Sequence, residues 1–171
     1  MNTYSLPLLV AYNQGANEKM NALIQTLTAD QWNKNLGGFF PSVHALNSHL
    51  QVSDHNWLVR YKALRRFTAL GDPIFDKPYS FQETLFADIP EYIAARAELD
   101  KRIIAFIEEL TQADLDAVLT YTDSRGTVLK KKMAGVLIHQ FNHGTHHRGM
   151  ASVYLEMLGK PNDYNGVSSF V

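Results

Sequence analysis

Apolar residues recur with helical spacing in four long segments of the chain, at about residues 7–28, 43–67, 89–110 and 132–158. Spacings of three and four residues place such positions on one face of an α-helix, where they form a stripe that packs into a core. The polar positions between them fall on the opposite face. The pattern therefore predicts four amphipathic helices.

Residues at the ends of these segments are of the types that start and stop helices. Ser42 and Asp88 precede the second and third helices, and short polar side chains of this kind accept hydrogen bonds from the first free N–H groups. Pro90 suits a first helical turn. Gly159 and Pro161 follow the fourth segment and are expected to end it.

The stretch "LTYTDSRGTVLK", residues 119–130, has a different pattern. β-Branched and aromatic residues lie on both sides of a turn-forming run from Asp123 to Gly126, which is typical of a hairpin. We therefore predict an all-α fold, a four-helix bundle with a short β-hairpin before the last helix. A chain of this length is expected to form one domain, residues 1–171.

Composition narrows the function classes. The chain of 171 residues is 46% hydrophobic, carries a formal net charge of -1 and has no cysteine. The lack of cysteine excludes disulfides, a thiol nucleophile of its own and a cysteine-ligated zinc site. The balanced charge predicts no nucleic-acid partner. We see no signal peptide and no apolar run of about 18 residues, so we expect a cytoplasmic protein without a membrane partner.

Histidines are concentrated in "NHGTHHRGM", residues 142–150, and one more lies a turn earlier. When the fourth helix is drawn at about 100° per residue, His143 and His147 fall on its apolar stripe. His139 and His146 fall at the flank of the stripe. We expect the flank histidines to be hydrogen-bonded or partly exposed, with a supporting or proton-shuttling role as the alternative.

The second helix supplies a third inward histidine. Its apolar stripe has His49 at the edge, whereas His44 and His55 fall on the predicted solvent face. Helical geometry therefore favours His49 together with the inward pair His143 and His147. The pair has the i, i+4 spacing that lets two imidazoles reach one ion from one helix face.

Three neutral imidazoles in a core can serve two purposes. Without an ion, each nitrogen that lacks a partner is unfavourable by about 1–3 kcal/mol. A divalent cation satisfies all three, and nitrogen ligands suit Zn, Ni, Cu or Fe without choosing among them. Three protein ligands also leave a coordination position for water or substrate. The alternative is a set of core histidines that serve packing or respond to pH.

Two stretches carry a family resemblance. "SHLQVSDHNWLVR" (residues 48–60) and "IHQFNHGTHHRGMASVYLEMLGKP" (residues 138–161) resemble the paired motifs of the DinB-like family, and "LGGFFPSVHALNSHL" resembles its link into the second helix. The resemblance implies a four-helix bundle, a homodimer and a bound divalent metal, usually nickel or zinc. It also implies that His49, His143 and His147 are the metal ligands. Met150 stands where the family usually has glutamine.

The other residues of these motifs have structural interpretations. Asp54 is expected to form an ion pair at the surface, rather than a contact behind the metal ligands, and Trp57 to anchor the core. Arg148 is expected to contact another helix or another subunit. Gly144 and Gly149 predict the close approach of a neighbouring helix, because glycine inside a helix is less stable than alanine by about 1 kcal/mol.

The resemblance leaves three functions open. Some relatives in the wider superfamily are thiol transferases or isomerases, which implies a metal-dependent enzyme that takes a small external thiol, with a hydrolase as a variant. The sequence places no inward glutamate beside the histidines, which argues against a zinc-protease mechanism. The alternatives are a non-catalytic metal-binding or stress-related dimeric bundle, and a bundle whose histidines only respond to pH.

Overall fold

The computed structural model describes residues 5–164 and 166–170 and is mostly helical. Within them lie six α-helices, one two-stranded antiparallel sheet and three short 3-10 segments. The helices are α1 (Leu6–Ile24), α2 (Ala29–Asn33), α3 (Val43–Tyr61), α4 (Ile89–Glu108), α5 (Gln112–Asp116) and α6 (Met133–Met157), and the strands are β1 (Val118–Thr122) and β2 (Val128–Lys132).

The four long helices pack on one another in pairs. Both α1 and α3 contact α4 and α6. The helical class and the hairpin before the last helix are therefore confirmed. No helix in the described part of the chain combines the length and apolar character that a membrane crossing requires.

The predicted helix starts are confirmed, but two helices end early. The Ser42 hydroxyl accepts a hydrogen bond from the Ala45 N–H at 3.1 Å, and the Asp88 carboxylate accepts one from the Glu91 N–H at 2.9 Å. The predicted ends at residues 28 and 67 are wrong, since α1 ends at Ile24 and α3 at Tyr61. Thr28 instead caps the short helix α2 through a capping box, which starts a new helix direction.

The hairpin pairs Val118 with Lys132 at its open end and Thr122 with Val128 at its turn. The Asp123 carboxylate accepts hydrogen bonds from the N–H groups of Arg125 and Thr127, both at 2.9 Å. Gly126 has a φ of +82°, which glycine adopts without steric strain. The strand β2 leads directly into α6, so the hairpin lies at the start of the histidine-bearing helix.

Helix α3 is buried on nearly every side, which makes the prediction of a solvent face wrong. His55 is only 2% exposed, and its Nε2 lies 3.1 Å from the Lys77 carbonyl oxygen. His44 is half-buried, with its Nε2 2.6 Å from the Leu85 carbonyl oxygen. The long connection between α3 and α4 lies across this face, and its carbonyl groups form hydrogen bonds with the imidazole nitrogens.

Buried polar residues separate two apolar clusters along the helices. One cluster includes Val10, Trp57, Ile103 and Phe141, and the other includes Met20, Leu46, Tyr92 and Ala151. Between them, at the middle of the four long helices, lies a group of polar side chains that we call the polar layer: Asn13, Asn17, His49, Asp54, Arg96, Asp100, Gln140, His143, His147 and Arg148. The candidate site belongs to this layer.

Candidate metal centre

The structure brings the three predicted histidines together. His143 and His147 lie one turn apart on α6, and their Nε2 atoms are 3.0 Å apart. His49 extends from α3, and its Nε2 lies 3.3 Å from that of His143. One ring nitrogen from each residue lies within 4.8 Å of both others. The helical faces thus selected the three side chains that converge.

The spacing of these nitrogens fits a single small cation. Ligand nitrogens about 2.0–2.1 Å from a tetrahedral zinc ion lie roughly 3.3 Å from each other. The two shorter separations, 3.0 and 3.3 Å, are close to that value. The donor set therefore could hold a transition-metal ion with little movement of the helices.

Hydrogen bonding among the rings cannot satisfy all three nitrogens. The His143 Nε2 faces both the His49 and the His147 Nε2 atoms. A neutral imidazole nitrogen either carries one proton or presents one lone pair, so it makes one good hydrogen bond and not two. A cation accepts a lone pair from each ring at once, which removes this conflict.

The surroundings keep the imidazoles neutral. Burial lowers the pKa of His49 to about 4, a lowering that His143 increases and Asp54 opposes. Burial also lowers the pKa of His147 to about 3, with further lowering by His143, His49 and His146. The pKa of His143 is lowered as well, again mainly by burial. Near neutral pH the lone pairs are free for a metal, and no proton has to leave.

The other ring nitrogen of His147 departs from the usual arrangement. The Nδ1 atom of a metal-binding histidine commonly donates to a carboxylate or a carbonyl group, which fixes the ring. In the part of the chain that the structure describes, His147 Nδ1 is buried and has no hydrogen-bond partner. The ring is instead held by packing, with the Phe40 ring edge-on at 5.4 Å between centroids.

Two aromatic side chains cover the cluster from outside the helices. Phe40, in the link before α3, lies 4.4 Å from His49 between ring centroids. Phe81, in the connection between α3 and α4, lies 5.7 Å from His49. These apolar rings border the histidines on the side that faces the connecting segments. Sequence reasoning missed both, because neither lies on a predicted helix.

Asp54 lies in the interior, so the prediction of a surface ion pair is wrong in its location. Its carboxylate accepts from the Arg96 guanidinium at 2.7 Å and from the Gln140 amide at 3.0 Å. The residue is 7% exposed. It contributes negative charge near His49 and His143, because it opposes the lowering of the pKa of both.

Arg148 makes the predicted contact between helices. Its guanidinium donates to the Asn13 side-chain oxygen at 2.6 Å and to that of Asn17 at 3.2 Å, both on α1. The close approach expected at Gly144 is confirmed, because a Cβ atom there would lie 3.2 Å from the Arg148 guanidinium and 3.3 Å from the Asn13 oxygen. Both residues hold α6 against α1.

The flank histidines lie outside the cluster, as expected. His139 and His146 are exposed. The ring of His139 lies 5.5 Å from Trp57 and 6.1 Å from His143 between centroids, and that of His146 lies 4.8 Å from His147. Trp57 is buried, as predicted, although it also borders the cavity described next.

An open cavity of about 670 Å³ adjoins the cluster. From α3 the cavity is lined by His49, Ser53, Trp57 and Arg60, and from α6 by His139 and His143. Sequence reasoning missed Arg60. The signal was present, since positions 49, 53, 57 and 60 follow helical spacing and so share one face of α3.

Comparisons with known proteins agree with this architecture. The sequence model of the DinB family matches residues 1–165. Protein DinB of Bacillus subtilis (strain 168) is 27% identical over 161 residues, which cover 91% of this chain and 89% of that protein. No solved structure gives a significant match. Because the family pattern spans nearly the whole sequence, the chain belongs to the DinB family.

Proposed function

We propose that the chain is a four-helix-bundle protein that binds one divalent transition-metal ion through His49, His143 and His147. The observation that carries the proposal is the convergence of three neutral ring nitrogens at one point of the polar layer. Nickel and zinc are the proposed ions, because imidazole suits both and the family resemblance favours them.

We further propose that the metal site is catalytic and takes a small external thiol, as an S-transferase does. Three protein ligands leave a coordination position free, and the cavity adjoins the ligands on one side. A bound divalent ion would supply a Lewis acid that lowers the pKa of a thiol or a water molecule. Phe40 and Phe81 would provide apolar contacts for the bound molecule, and Asp54 would place negative charge near His49 and His143.

One observation favours metal binding without turnover as the second candidate. Within the described residues, the only acidic group among the causes of the histidine pKa shifts is Asp54. Its carboxylate oxygens already accept from Arg96 and Gln140. It is therefore poorly placed to accept a proton from a substrate, and a hydrolase that needs a carboxylate base is the less favoured form of the enzyme.

Calorimetric titration with zinc or nickel tests metal binding. We expect one ion per chain for the unchanged protein and a large loss of affinity for His49→Gln and His147→Gln. His139→Gln is the matched control, because that histidine is exposed and lies outside the cluster. A chain that binds no ion, or binds it equally well in all variants, contradicts the proposal.

Turnover is a separate question from binding. The metal-loaded protein is incubated with several small thiols and monochlorobimane, and the rate of thioether formation is followed by fluorescence. Catalysis that is lost in His49→Ala and kept in His146→Ala supports the transferase, because His146 is exposed and does not line the cavity. If the protein binds metal but accelerates the reaction of no thiol, the non-catalytic candidate is favoured.

A further inference from the structure

A second cavity, of about 340 Å³, lies between α3, α4 and the connection that joins them. Gln51 and His55 line it from α3, where they lie one helical turn apart. Residues 49 and 51 are separated by about 200° around a helix axis, so Gln51 lies on the side of α3 away from His49. None of the described residues that line this cavity also lines the one beside the histidine cluster. The proposed metal site therefore does not account for it.

The side chain of Gln51 has a buried oxygen without a donor. The residue is 7% exposed, and its Nε2 donates to the Ala95 carbonyl oxygen at 3.2 Å. That contact identifies which end of the amide is the nitrogen, because a carbonyl group can only accept. The Oε1 at the other end has no hydrogen-bond partner among the described residues. A buried acceptor in this condition is unfavourable, and a ligand that donates to it removes the penalty.

The other polar groups of the cavity are mainly acceptors too. The Nε2 of His55 lies 3.1 Å from the Lys77 carbonyl oxygen, so a neutral ring carries its proton there and has its lone pair on Nδ1. Burial lowers the pKa of His55, although the hydrogen bond to Lys77 opposes the lowering, and the ring is therefore neutral near pH 7. Three carboxylates complete the polar lining, those of Asp72, Glu91 and Glu98.

Negative charge is in excess in this lining. Arg102 is the only basic group among its described residues, and it donates to Glu98 at 2.9 Å and to Asp72 at 3.5 Å. One guanidinium offsets one carboxylate, so two negative charges have no counter-charge in the lining. Glu91 forms no ion pair within the described part of the chain, and its Oε2 accepts the Ala87 N–H at 2.6 Å. The excess favours a cationic ligand that donates hydrogen bonds.

Apolar side chains form the rest of the wall: Ile74, Phe75, Tyr79, Leu85, Phe86 and Leu99. Phe86 has a φ of +72°, which a bulky residue rarely adopts and which is found mostly where a structure serves a function. Its ring packs edge-on against that of Tyr92, at 5.4 Å between centroids. Aromatic faces attract cations. A cavity of this size, with an apolar wall and a few polar groups, is typical of small-molecule sites.

We propose that this cavity binds a small organic cation, a protonated amine on an apolar body. The ammonium group donates to the Gln51 Oε1 and lies among the carboxylates, while the body packs against the aromatic wall. A single ammonium group supplies both the N–H that the oxygen lacks and the positive charge that the lining lacks. A neutral alcohol supplies only a donor, and a quaternary ammonium only the charge. The inference is independent of the proposed metal site.

Three probes with the same phenyl body separate these properties. Phenethylamine has the charge and the N–H groups, its N,N,N-trimethyl derivative has the charge alone, and 2-phenylethanol is neutral with one O–H donor. Each is titrated into the unchanged protein, Gln51→Leu and Glu91→Gln, and binding is followed by NMR chemical shifts. Glu156→Gln is the matched control, because Glu156 is exposed, lies outside the cavity and gives the same change of net charge.

We expect phenethylamine to bind the unchanged protein more tightly than the other two probes. Gln51→Leu should weaken its binding by about tenfold or more, because a hydrogen bond from a charged donor is lost. The trimethyl derivative has no N–H to lose, so its affinity should stay within about twofold. Glu91→Gln should weaken both cations by about two- to fivefold, the smaller effect of an exposed charge, and leave the alcohol unchanged. Glu156→Gln should change none of the three.

Several results would overturn the proposal. If phenethylamine does not bind, or binds no more tightly than 2-phenylethanol, the cavity does not select a cation. Equal weakening of both cations by Gln51→Leu, or no weakening, means that the Gln51 oxygen is not the acceptor. Glu91→Gln replaces an exposed side chain, so it tests the charge even if Gln51→Leu fails to fold, and unchanged affinities for both cations would contradict the proposal.

One further variant locates the bound amine. His147→Gln should bind phenethylamine as the unchanged protein does, because His147 lies outside this cavity. A loss of binding in that variant would place the amine at the histidine cluster and contradict the assignment. Zinc affinity is measured in Gln51→Leu and should not differ from that of the unchanged protein. Failure of the amine site and failure of the metal site are thus distinguished by separate titrations.

Discussion

Two groups of buried polar side chains share the polar layer, and they differ in how completely they are paired. In the first, which we call the ion-pair network, Arg96 bridges Asp54 and Asp100 at 2.7 and 2.6 Å. Gln140 and Asn17 donate to the two carboxylates. The second group is the three-histidine cluster, whose Nε2 atoms face one another and whose buried His147 Nδ1 has no hydrogen-bond partner among the described residues. The same helices thus carry one polar group whose charges are paired and one whose nitrogens are not all satisfied.

The difference indicates what each group is for. Buried charges are tolerated when they are paired, and the network achieves this with its own residues, apart from Arg96 Nε, which has no partner among the described residues. Burial opposes the charge of Arg96, yet Asp100 and Asp54 raise the pKa of its guanidinium. The charges of the network are paired by residues of the chain itself, whereas the cluster could hold a cation. The contrast supports a structural role for the first group and agrees with the metal binding proposed for the second.

Breaking the network is expected to have the largest effect. Arg96→Met leaves Asp54 and Asp100 buried without their counter-ion, and removal of one partner from such a group reduces stability by about 3–5 kcal/mol. Urea unfolding of the metal-free protein measures the change. Arg102→Met is the control on the same helix, since its ion pairs are exposed and contribute about 0–1 kcal/mol. Similar losses for both variants would contradict the distinction between the two groups.

Binding of zinc by the cluster is expected to have the next largest effect on stability. At a zinc concentration about 100-fold above the dissociation constant, one bound ion stabilises the fold by about 2.7 kcal/mol. Thermal unfolding with and without zinc should show this gain in the unchanged protein and in His146→Gln, but not in His147→Gln. A gain in His147→Gln would place the ion elsewhere. If zinc does not stabilise the unchanged protein, the proposal that the cluster binds a metal ion is contradicted.

Removing one hydrogen bond at the edge of the ion-pair network is expected to reduce stability by a smaller amount. The Tyr61 hydroxyl donates to the Gln140 side-chain oxygen at 2.8 Å, and Tyr61→Phe leaves that buried oxygen without its donor. We expect a loss of about 1 kcal/mol in urea unfolding and no change in zinc affinity. Tyr121→Phe, at a half-exposed position, should change neither quantity. A loss of zinc affinity in Tyr61→Phe would show that the two groups are coupled through Asp54.

The sequence predicts features that depend on neighbouring residues better than features that depend on contacts between distant segments. Helical periodicity is local, so it predicted the four long helices and the inward faces of His49, His143 and His147. Caps are local as well, and Ser42 and Asp88 act as expected. The cluster was predictable because its histidines lie on or beside the apolar faces of their helices, and the spacing of apolar residues identifies those faces.

The network was not predictable in this way. Asp54 is a polar residue beyond the apolar stripe, and periodicity alone cannot show that Arg96, on another helix, meets it in the interior. His55 was assigned to solvent for a related reason, since only the folded connection between α3 and α4 covers it. Phe81 reaches the cluster from that same connection. The homodimer and the cytoplasmic location stay predictions.

A mild change of pH perturbs the cluster without any substitution. In the folded, metal-free protein the pKa of His49 is about 4 and that of His147 about 3, below the value of 6.5 for a free histidine. Between these values the unfolded chain binds more protons than the fold, so stability falls as the pH falls through about 6.5.

The measurement is the urea midpoint of the metal-free protein at about pH 7 and about pH 5.5, where the unfolded histidines take up protons. The double variant with His49→Gln and His147→Gln should lose less stability on acidification than the unchanged protein. His55, whose pKa burial also lowers, is present in both proteins, so the difference isolates the cluster. An equal shift of both midpoints would mean that the cluster imidazoles titrate as exposed histidines do. Protons could then satisfy the convergent nitrogens, and a cation would relieve no conflict that the fold imposes.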